Sequence, residues 1–310
     1  MDKILGSFSI SILLICLLCI SCKQKTKQAD YHKPAAYSLN GEPLYADPPS
    51  EKIADQLIEK EHRYLAAPDS AENIIWYGRF LAYAGRYDDA IDVFTRGQTL
   101  YPDDPRFLRH RGHRYITIRK FDLAIADLEK AAQLINGKPD EIEPDGLPNA
   151  QNIPISTLQG NIWYHLGLAY YLNQDFTRAM TSYINCLRTS SNDDNLVSAT
   201  HWLYTIICRV NRGNDLNRVL NRITDHMQVI ENESYFRLCR LYKGEMTVDQ
   251  AREGILPGPS LDALDYGIAR WYACQGNEVA GKELLYDILS RNNWASFGYI
   301  AAEADLFSIK

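Results

Sequence analysis

The chain has 310 residues, of which 46% are hydrophobic, so it can form a sizeable core and by length alone allows one or two domains. Its formal net charge of −6 argues against a nucleic-acid binder with a uniformly basic surface, and we predict no nucleic-acid partner. The class of protein therefore depends on the pattern of predicted elements along the chain.

Residues 1–22 have the pattern of an export signal. A charged start precedes an apolar run over residues 4–20 and the pair Ser21-Cys22. The pattern resembles a bacterial lipoprotein signal peptide, which implies cleavage before Cys22 and lipidation of that residue. We therefore expect a protein of the bacterial cell envelope, lipid-anchored to the outer membrane and lying outside the cytoplasm. Plain secretion and an uncleaved membrane helix remain open, because Cys19 stands where the family usually has leucine.

The polar stretch that follows predicts a linker. Residues 23–50 contain scattered prolines and no apolar period, which is typical of a flexible tether. Residues 53–65 then predict a helix that ends before Pro68 and caps the folded part of the chain. We expect residues 51–310 to form one folded domain.

Three later segments repeat one pattern: a glycine, nine residues later a tyrosine or phenylalanine, and three residues later an alanine. The copies are Gly78-Tyr87-Ala90, Gly112-Phe121-Ala124 and Gly167-Phe176-Ala179. The first two copies lie 34 residues apart, which is the period of a helix-turn-helix repeat. The glycine and alanine are predicted where two helices cross, and the pairs are predicted to stack into one continuous core.

The first copy carries a family resemblance. Its residues Trp76-Tyr77-Gly78, Gly85, Ala90, Phe94 and Pro102 resemble the tetratricopeptide repeat family. The resemblance implies an all-α fold, a right-handed α-solenoid of about six helix pairs with capping helices at both ends. Clear repeats are predicted over residues 71–104, 105–136 and 160–193, weaker ones over residues 198–293, and a C-terminal capping helix over residues 294–307.

An acidic insertion separates the second and third clear repeats. Residues 136–156 contain four prolines and two glycines, which exclude a helix, and also Asp140, Glu141, Glu143 and Asp145. The acidic run is a weak calcium-loop pattern, because an asparagine stands where the bidentate glutamate would be. We interpret the segment as a spacer or docking loop and predict no metal site.

Four cysteines are scattered over predicted helices of the folded part: Cys186, Cys208, Cys239 and Cys274. Each has apolar neighbours in sequence. We expect buried free thiols rather than disulfides, although the expected location would permit disulfides.

The family resemblance also implies a ligand-binding groove. In tetratricopeptide repeat proteins the first helix of each pair lines the concave face of the array. The corresponding residues are Arg79, Tyr83, Arg106, Arg109, His113, Tyr164 and Tyr171, beside Ile75, Thr117 and Leu168. Arginine forks suit carboxylates and phosphates, so this face would be basic at one end and aromatic at the next. A second interpretation stays open, in which Arg79, Arg106 and Arg109 pair with the acidic insertion of the same chain.

The predicted function is that of a membrane-anchored scaffold or adaptor. A peptide or protein partner of unknown identity would bind in the basic and aromatic groove, and the rigid helices would keep the entropy lost on binding small. The alternative is a glycan- or nutrient-binding surface lipoprotein that works with an outer-membrane transporter. The sequence contains no lipase-type serine elbow and no zinc-protease helix motif, so we predict no enzymatic activity and no cofactor.

Overall fold

The computed structural model describes residues 29–210 and 215–307, and the features below belong to the unit Tyr31–Lys310. A short hairpin, β1 (Ala36–Tyr37) and β2 (Pro43–Leu44), precedes a series of helices. The helices are α1 (Glu51–Ala66), α2 (Ala71–Tyr83), α3 (Tyr87–Leu100), α4 (Pro105–Thr117), α5 (Phe121–Leu134), α6 (Leu158–Leu172), α7 (Phe176–Thr189), α8 (Asp193–Arg209), α9 (Leu216–Leu220), α10 (Glu233–Tyr242), α11 (Val248–Arg252), α12 (Pro259–Cys274), α13 (Glu278–Leu289) and α14 (Phe297–Phe307). The all-α prediction is confirmed. The predictions for residues 1–22, Cys22 included, concern residues outside the described ranges.

The three clear repeats are the helix pairs α2/α3, α4/α5 and α6/α7, and each helix packs on its neighbours in sequence. The recurring spacing of small residues marks their crossings. A Cβ atom on Gly78 would lie 2.5 Å from Phe94 Cε1, and one on Gly112 would lie 2.8 Å from Leu128 Cγ. Gly167 is confined in the same way by the partner helix. Because real side chains do not approach so closely, glycine is required for these pairs to pack at this distance.

Wherever the turn inside a pair is described, it contains one residue with left-handed backbone. The first pair uses Gly85 at φ +72° and the last uses Gly276 at φ +81°. In the second and third pairs the same position holds Arg119 at φ +63° and Gln174 at φ +62°. A side chain in this conformation costs roughly 1–2 kcal/mol, so these two residues need compensating contacts.

A disulfide joins two of the later helix pairs. Cys208 in α8 and Cys274 in α12 are bonded, with their Cα atoms 5.5 Å apart. The expectation of free thiols is therefore wrong for this pair, because packing of α8 beside α12 brings together two cysteines that lie 66 residues apart in sequence. Cys186 and Cys239 are free and buried, as expected.

The segment before α1 is packed on the helices over much of its described length, which differs from the expected tether. Ala36 and Leu44 are buried in an apolar cluster with residues of α2 and α3. The Tyr31 hydroxyl donates to the Ala84 carbonyl at 3.1 Å, and Trp294 Nε1 donates to the Tyr45 carbonyl at 2.7 Å. The sequence shows little sign of this packing, since two small apolar segments and backbone hydrogen bonds produce no periodic pattern.

The C-terminal helix does more than cap the last pair. It packs on α12 and α13 and also reaches back to α6, while Trp294 just before it contacts the Tyr87 ring at 5.6 Å between centroids. Glu303 in α14 binds Arg119 Nε at 2.8 Å and the Leu39 amide at 2.7 Å. The N-terminal segment, the second repeat and the last helix are thus held together by one buried carboxylate.

Candidate functional site

The acidic insertion lies across the first helices of the clear repeats. Arg79 and Tyr83 are four residues apart on α2, and Arg109 and His113 are four residues apart on α4, so each pair faces one side of its helix. The insertion contacts this side of both helices. The structure therefore brings together four of the predicted groove residues, which are Arg79, Tyr83, Arg109 and His113. The insertion covers all of these except His113.

Arg79 connects the insertion to the aromatic residues of α2. Its Nη1 donates to the Pro144 carbonyl at 2.8 Å, and its guanidinium lies 4.5 Å from the centroid of the Trp76 ring. The insertion also packs closely on Tyr83, since a Cβ atom on Gly146 would lie 2.2 Å from the Tyr83 hydroxyl. Arg79 therefore binds the insertion of its own chain, which is the second of the two interpretations that the sequence leaves open.

Arg109 binds the carboxylate of the insertion directly. Its Nη2 lies 3.0 Å from Glu143 Oε1, and Glu143 Oε2 accepts from Asn161 Nδ2 at 3.1 Å. Arg109 Nη1 lies 2.9 Å from His110 Nδ1, which must accept because a guanidinium has only donors. The His110 proton is therefore on Nε2, which faces Glu143 Oε1 at 3.7 Å.

The cluster keeps an excess of positive charge. Arg114 stacks over the Tyr87 ring at 5.9 Å and forms no ion pair with any residue in the described ranges. Burial, together with the nearby guanidiniums of Arg109 and Arg79, lowers the pKa of Arg114 to about 10. Arg109 Nε is buried and has no hydrogen-bond partner among the described residues. Arg114 is half-buried and has no counter-ion among the described residues, so this site favours a further anion.

Three histidines surround these arginines. The rings of His113 and His165 lie 4.4 Å apart, and Phe297 of α14 contacts both. His165 Nδ1 donates to the Asn161 carbonyl at 2.6 Å. Burial, and then the positive charge of Arg109 and Arg114, lowers the pKa of His110 and His165 well below the usual value. These imidazoles are therefore neutral at pH 7.

The free energy of unfolding is expected to fall as the pH drops below 6.5. In this range the unfolded chain protonates its histidines, whereas the folded chain, in which their pKa values are lowered, keeps His110, His113, His165 and His201 neutral. Each such histidine contributes up to about 1.4 kcal/mol per pH unit between 6.5 and its folded pKa. Urea unfolding at pH 7.5 and pH 5.5 measures this loss, which should total about 4–5 kcal/mol for the four.

A pair of variants separates this effect from general acid sensitivity. His165→Gln should flatten the pH dependence by about one histidine's share. His226→Gln should leave it unchanged, because the His226 side chain is 90% exposed. Equal profiles for wild type and His165→Gln would contradict the account.

A cavity of about 390 Å³ separates the insertion from α1 and α2. Its lining residues include Gln56, Lys60, Arg63, Trp76 and Phe80 on the helices and Asp145 and Gly146 on the insertion. Lys60 Nζ lies 5.6 Å from the Phe80 ring centroid, and Gln56 Oε1 is buried without a hydrogen-bond partner among the described residues. We call the surface formed by Lys60, Trp76, Arg79 and Tyr83 the basic–aromatic face.

Of the remaining predicted groove residues, Tyr164 borders the histidines, with its ring centroid 5.5 Å from that of His165, whereas Arg106 and Tyr171 make other contacts. Arg106 pairs with Asp104 at 2.7 Å and with Glu72 at the start of α2, not with the insertion. Tyr164 is bonded to Tyr235 and Trp202, at 3.1 and 3.0 Å. A third residue, Tyr171, is completely buried, so it belongs to the core rather than to an open groove.

Several residues of the site are absent from the sequence-based set, and two of them, Glu143 and Arg114, determine its charge. The sequence marks Glu143 only as one of several acidic residues of the insertion, and no spacing distinguishes it from its neighbours. Arg114 follows His113 directly, and the density of basic residues on α4 is the only signal that points to it. In the described part of the chain, no group of three or more histidine, cysteine or acidic side chains is placed to hold a metal ion.

Part of the chain matches a known family. Residues 160–193, the third clear repeat, match the family described as tetratricopeptide repeat. A curated protein of Arabidopsis thaliana, one of the subunits of eukaryotic translation initiation factor 3, is 25% identical over 142 residues, which cover 42% of this chain and 30% of that protein. The chain thus spans less than a third of that relative's length. The repeat match and the helix pairs together support a tetratricopeptide-repeat architecture.

Solved structures show similarities of fold at low identity. YrrB, described as a TPR protein with an unusual peptide-binding site, is 14% identical with a TM-score of 0.41, covering 80% of this chain and 97% of YrrB. The Cut9–Hcn1 hetero-tetramer of APC/C gives 16% identity and a TM-score of 0.45, covering 78% of this chain and 40% of the matched chain. Nothing about a ligand follows from either.

Proposed function

We propose that the protein is a protein–protein interaction scaffold that binds a segment of its partner at the basic–aromatic face. The single observation that carries the proposal is the set of cations beside a cavity of about 390 Å³, where Lys60, Arg63 and Arg79 face only Glu59 and Asp145 among the described carboxylates, in a chain whose net charge is −6. Such a local reversal of charge sign favours an anionic or acidic partner. Fixed helices hold the charged and aromatic groups in place before binding, which limits the entropy lost.

Membrane attachment through Cys22 is part of the proposal. The signal pattern at residues 4–22 carries it, and the Cys208–Cys274 disulfide agrees with a location outside the cytoplasm, where disulfides persist. Among the described residues, no helix has the length and apolar character needed to cross a membrane.

Lipidation at Cys22 has a direct measurement. Cells expressing the wild-type chain and labelled with a palmitate analogue should yield labelled protein in the membrane fraction. The Cys22→Ala variant should lose the label, whereas Cys19→Ala should keep it. Label retained by Cys22→Ala would contradict the proposed anchor.

Partner capture tests the scaffold. We expect crosslinking and pull-down from the native membrane fraction to recover a partner with wild type and to lose it with Lys60→Glu/Arg79→Glu. Both side chains lie on the basic–aromatic face, and both changes reverse charge there without touching the buried Arg109.

A matched variant controls for net charge. Lys130→Glu/Arg188→Glu makes the same charge change on exposed residues of α5 and α7, the second helices of their pairs. This control should capture the partner as wild type does. Equal capture by all three proteins would move the binding surface away from the basic–aromatic face.

The glycan-receptor alternative predicts a different outcome. It requires an aromatic ring face free for stacking on a sugar. Trp202 and Trp294 are buried and the Trp76 ring carries the Arg79 guanidinium, so the exposed rings of Tyr37, Tyr45 and Tyr286 would have to serve, and these lie outside the basic–aromatic face. Absence of any protein partner, together with binding to a carbohydrate array, would favour this alternative.

A further inference from the structure

The acidic insertion is attached to the array by few contacts. Between residues 136 and 154, all of which are described, Glu143 is the only buried residue. The apolar side chains of Ile142, Leu147 and Ile153 are 66%, 50% and 48% exposed. A segment with so little buried apolar surface belongs to the low-stability part of a fold, which opens without global unfolding.

The end of the segment is anchored by the buried Ile155, whose carbonyl accepts from Asn192 Nδ2 at 2.7 Å, and Asn149 Nδ2 donates to Glu231 Oε1 at 2.7 Å. Two further kinds of contact hold its middle part in place. The first is its backbone, in which the Glu143 amide donates to the Ser156 carbonyl at 2.9 Å and the Leu158 amide donates to the Glu141 carbonyl at 2.9 Å. The second is recognition by the helices, where Arg109 and Asn161 bind the Glu143 carboxylate and Arg79 binds the Pro144 carbonyl. This second set needs only an extended backbone and one acidic side chain, so any polypeptide with these features can supply it.

The charge around this position supports exchange of one acidic segment for another. Glu143 is the only described carboxylate that pairs with Arg109, and Arg114 has no ion-pair partner in the described ranges. Burial raises the pKa of the Asp145 carboxyl, and the nearby Arg79 guanidinium lowers it by a smaller amount, so this pKa is raised overall. An incoming segment that places one carboxylate at Arg109 and another at Arg114 would neutralise more of this charge than the insertion does, because the insertion leaves Arg114 unpaired.

We propose that the insertion is a tethered occupant of the site, and that the partner binds through an acidic, extended segment whose carboxylate replaces Glu143 at Arg109. The inference rests on the proposed scaffold function and names the chemistry of its partner. Because the insertion is part of the same chain, its effective concentration at the site is on the order of millimolar. Removing it should therefore strengthen binding of an acidic segment by about tenfold or more.

The probe for this inference is a fluorescent peptide that copies residues 138–150. The full chain is compared with a variant in which glycine and serine replace residues 140–146 at unchanged length. Fluorescence anisotropy should show at least about tenfold tighter binding to the variant, and the affinity should fall as salt is added. The single substitution Glu143→Gln, which changes the insertion less than the glycine-serine variant does, is measured alongside. Circular dichroism melting shows that each variant is folded.

Two further measurements establish that the probe reaches the intended site. In the glycine-serine background, Arg109→Gln should weaken binding by about tenfold or more, while Arg188→Gln on α7 should not. A second peptide, with glutamine in place of Glu143, should bind the glycine-serine variant as weakly as the original peptide binds its Arg109→Gln form.

Absence of tighter binding in folded variants, or binding that does not depend on Arg109, would overturn the inference. That result leaves the scaffold proposal standing if capture of a partner still depends on Lys60 and Arg79. Loss of that dependence would overturn the scaffold proposal instead.

Discussion

Replacing Glu303 by alanine is expected to lower the free energy of unfolding by about 3–5 kcal/mol. The Glu303 side chain is 1% exposed and that of Arg119 is 3% exposed, so the variant leaves a buried guanidinium without its counter-ion. It also removes the acceptor of the Leu39 amide, which ties the N-terminal segment to α14. Urea unfolding followed by circular dichroism gives the value, and amide exchange over residues 36–44 should become faster.

The comparison with an exposed ion pair shows whether burial is the cause. Glu59→Ala breaks the pair with Arg63, in which the side chains are 47% and 64% exposed, and a longer one with Lys60 at 3.3 Å. It should change the free energy of unfolding by less than about 1 kcal/mol. A loss below about 1 kcal/mol for Glu303→Ala would show that the pair does not hold the three segments together.

Loss of the Cys208–Cys274 disulfide is expected to cost about 4 kcal/mol. The bond closes a loop with a sequence separation of 66 residues, and in the chain-entropy description a loop of this size restricts the unfolded chain by that amount. The Cys208→Ala/Cys274→Ala variant should therefore unfold at a markedly lower urea concentration than the oxidised wild type.

Reductant provides the internal check on this value. It should destabilise wild type to about the level of the double variant and leave the double variant unchanged, since Cys186 and Cys239 are free in both. Equal stability of oxidised wild type and the double variant would contradict the expected restriction of the unfolded chain by this cross-link.

Sequence reasoning predicts the helix pairs well because their determinants are local. Gly78 and Gly112 mark helix crossings, and the spacing to the next aromatic residue places each turn within a few residues. The N-terminal segment and the disulfide follow from contacts between residues distant in sequence. Neither Ala36 nor Cys208 has a local signal that names its partner.

The candidate site is predicted only in part, because some of its contacts are local in sequence and others join distant residues. Helical spacing puts Arg79 and Tyr83 on one side of α2, and the sequence leaves open that the insertion covers them. Which acidic residue enters the cluster depends on the path of a proline-rich loop, so sequence alone does not distinguish Glu143 from Glu141. The repeat position of Tyr171 predicts a groove residue, but its hydroxyl bonds Arg209 and Tyr266 in the interior, at 2.7 and 2.5 Å.

The most direct test of the scaffold account is site-specific photocrosslinking in the native membrane. A photoreactive residue replaces either Arg63, which is exposed and lines the cavity beside the basic–aromatic face, or Ile184, which is 40% exposed on α7. The account predicts a crosslinked partner protein from position 63 and none from position 184. Crosslinking from position 184 alone, or from both positions equally, would contradict the assignment of the binding surface.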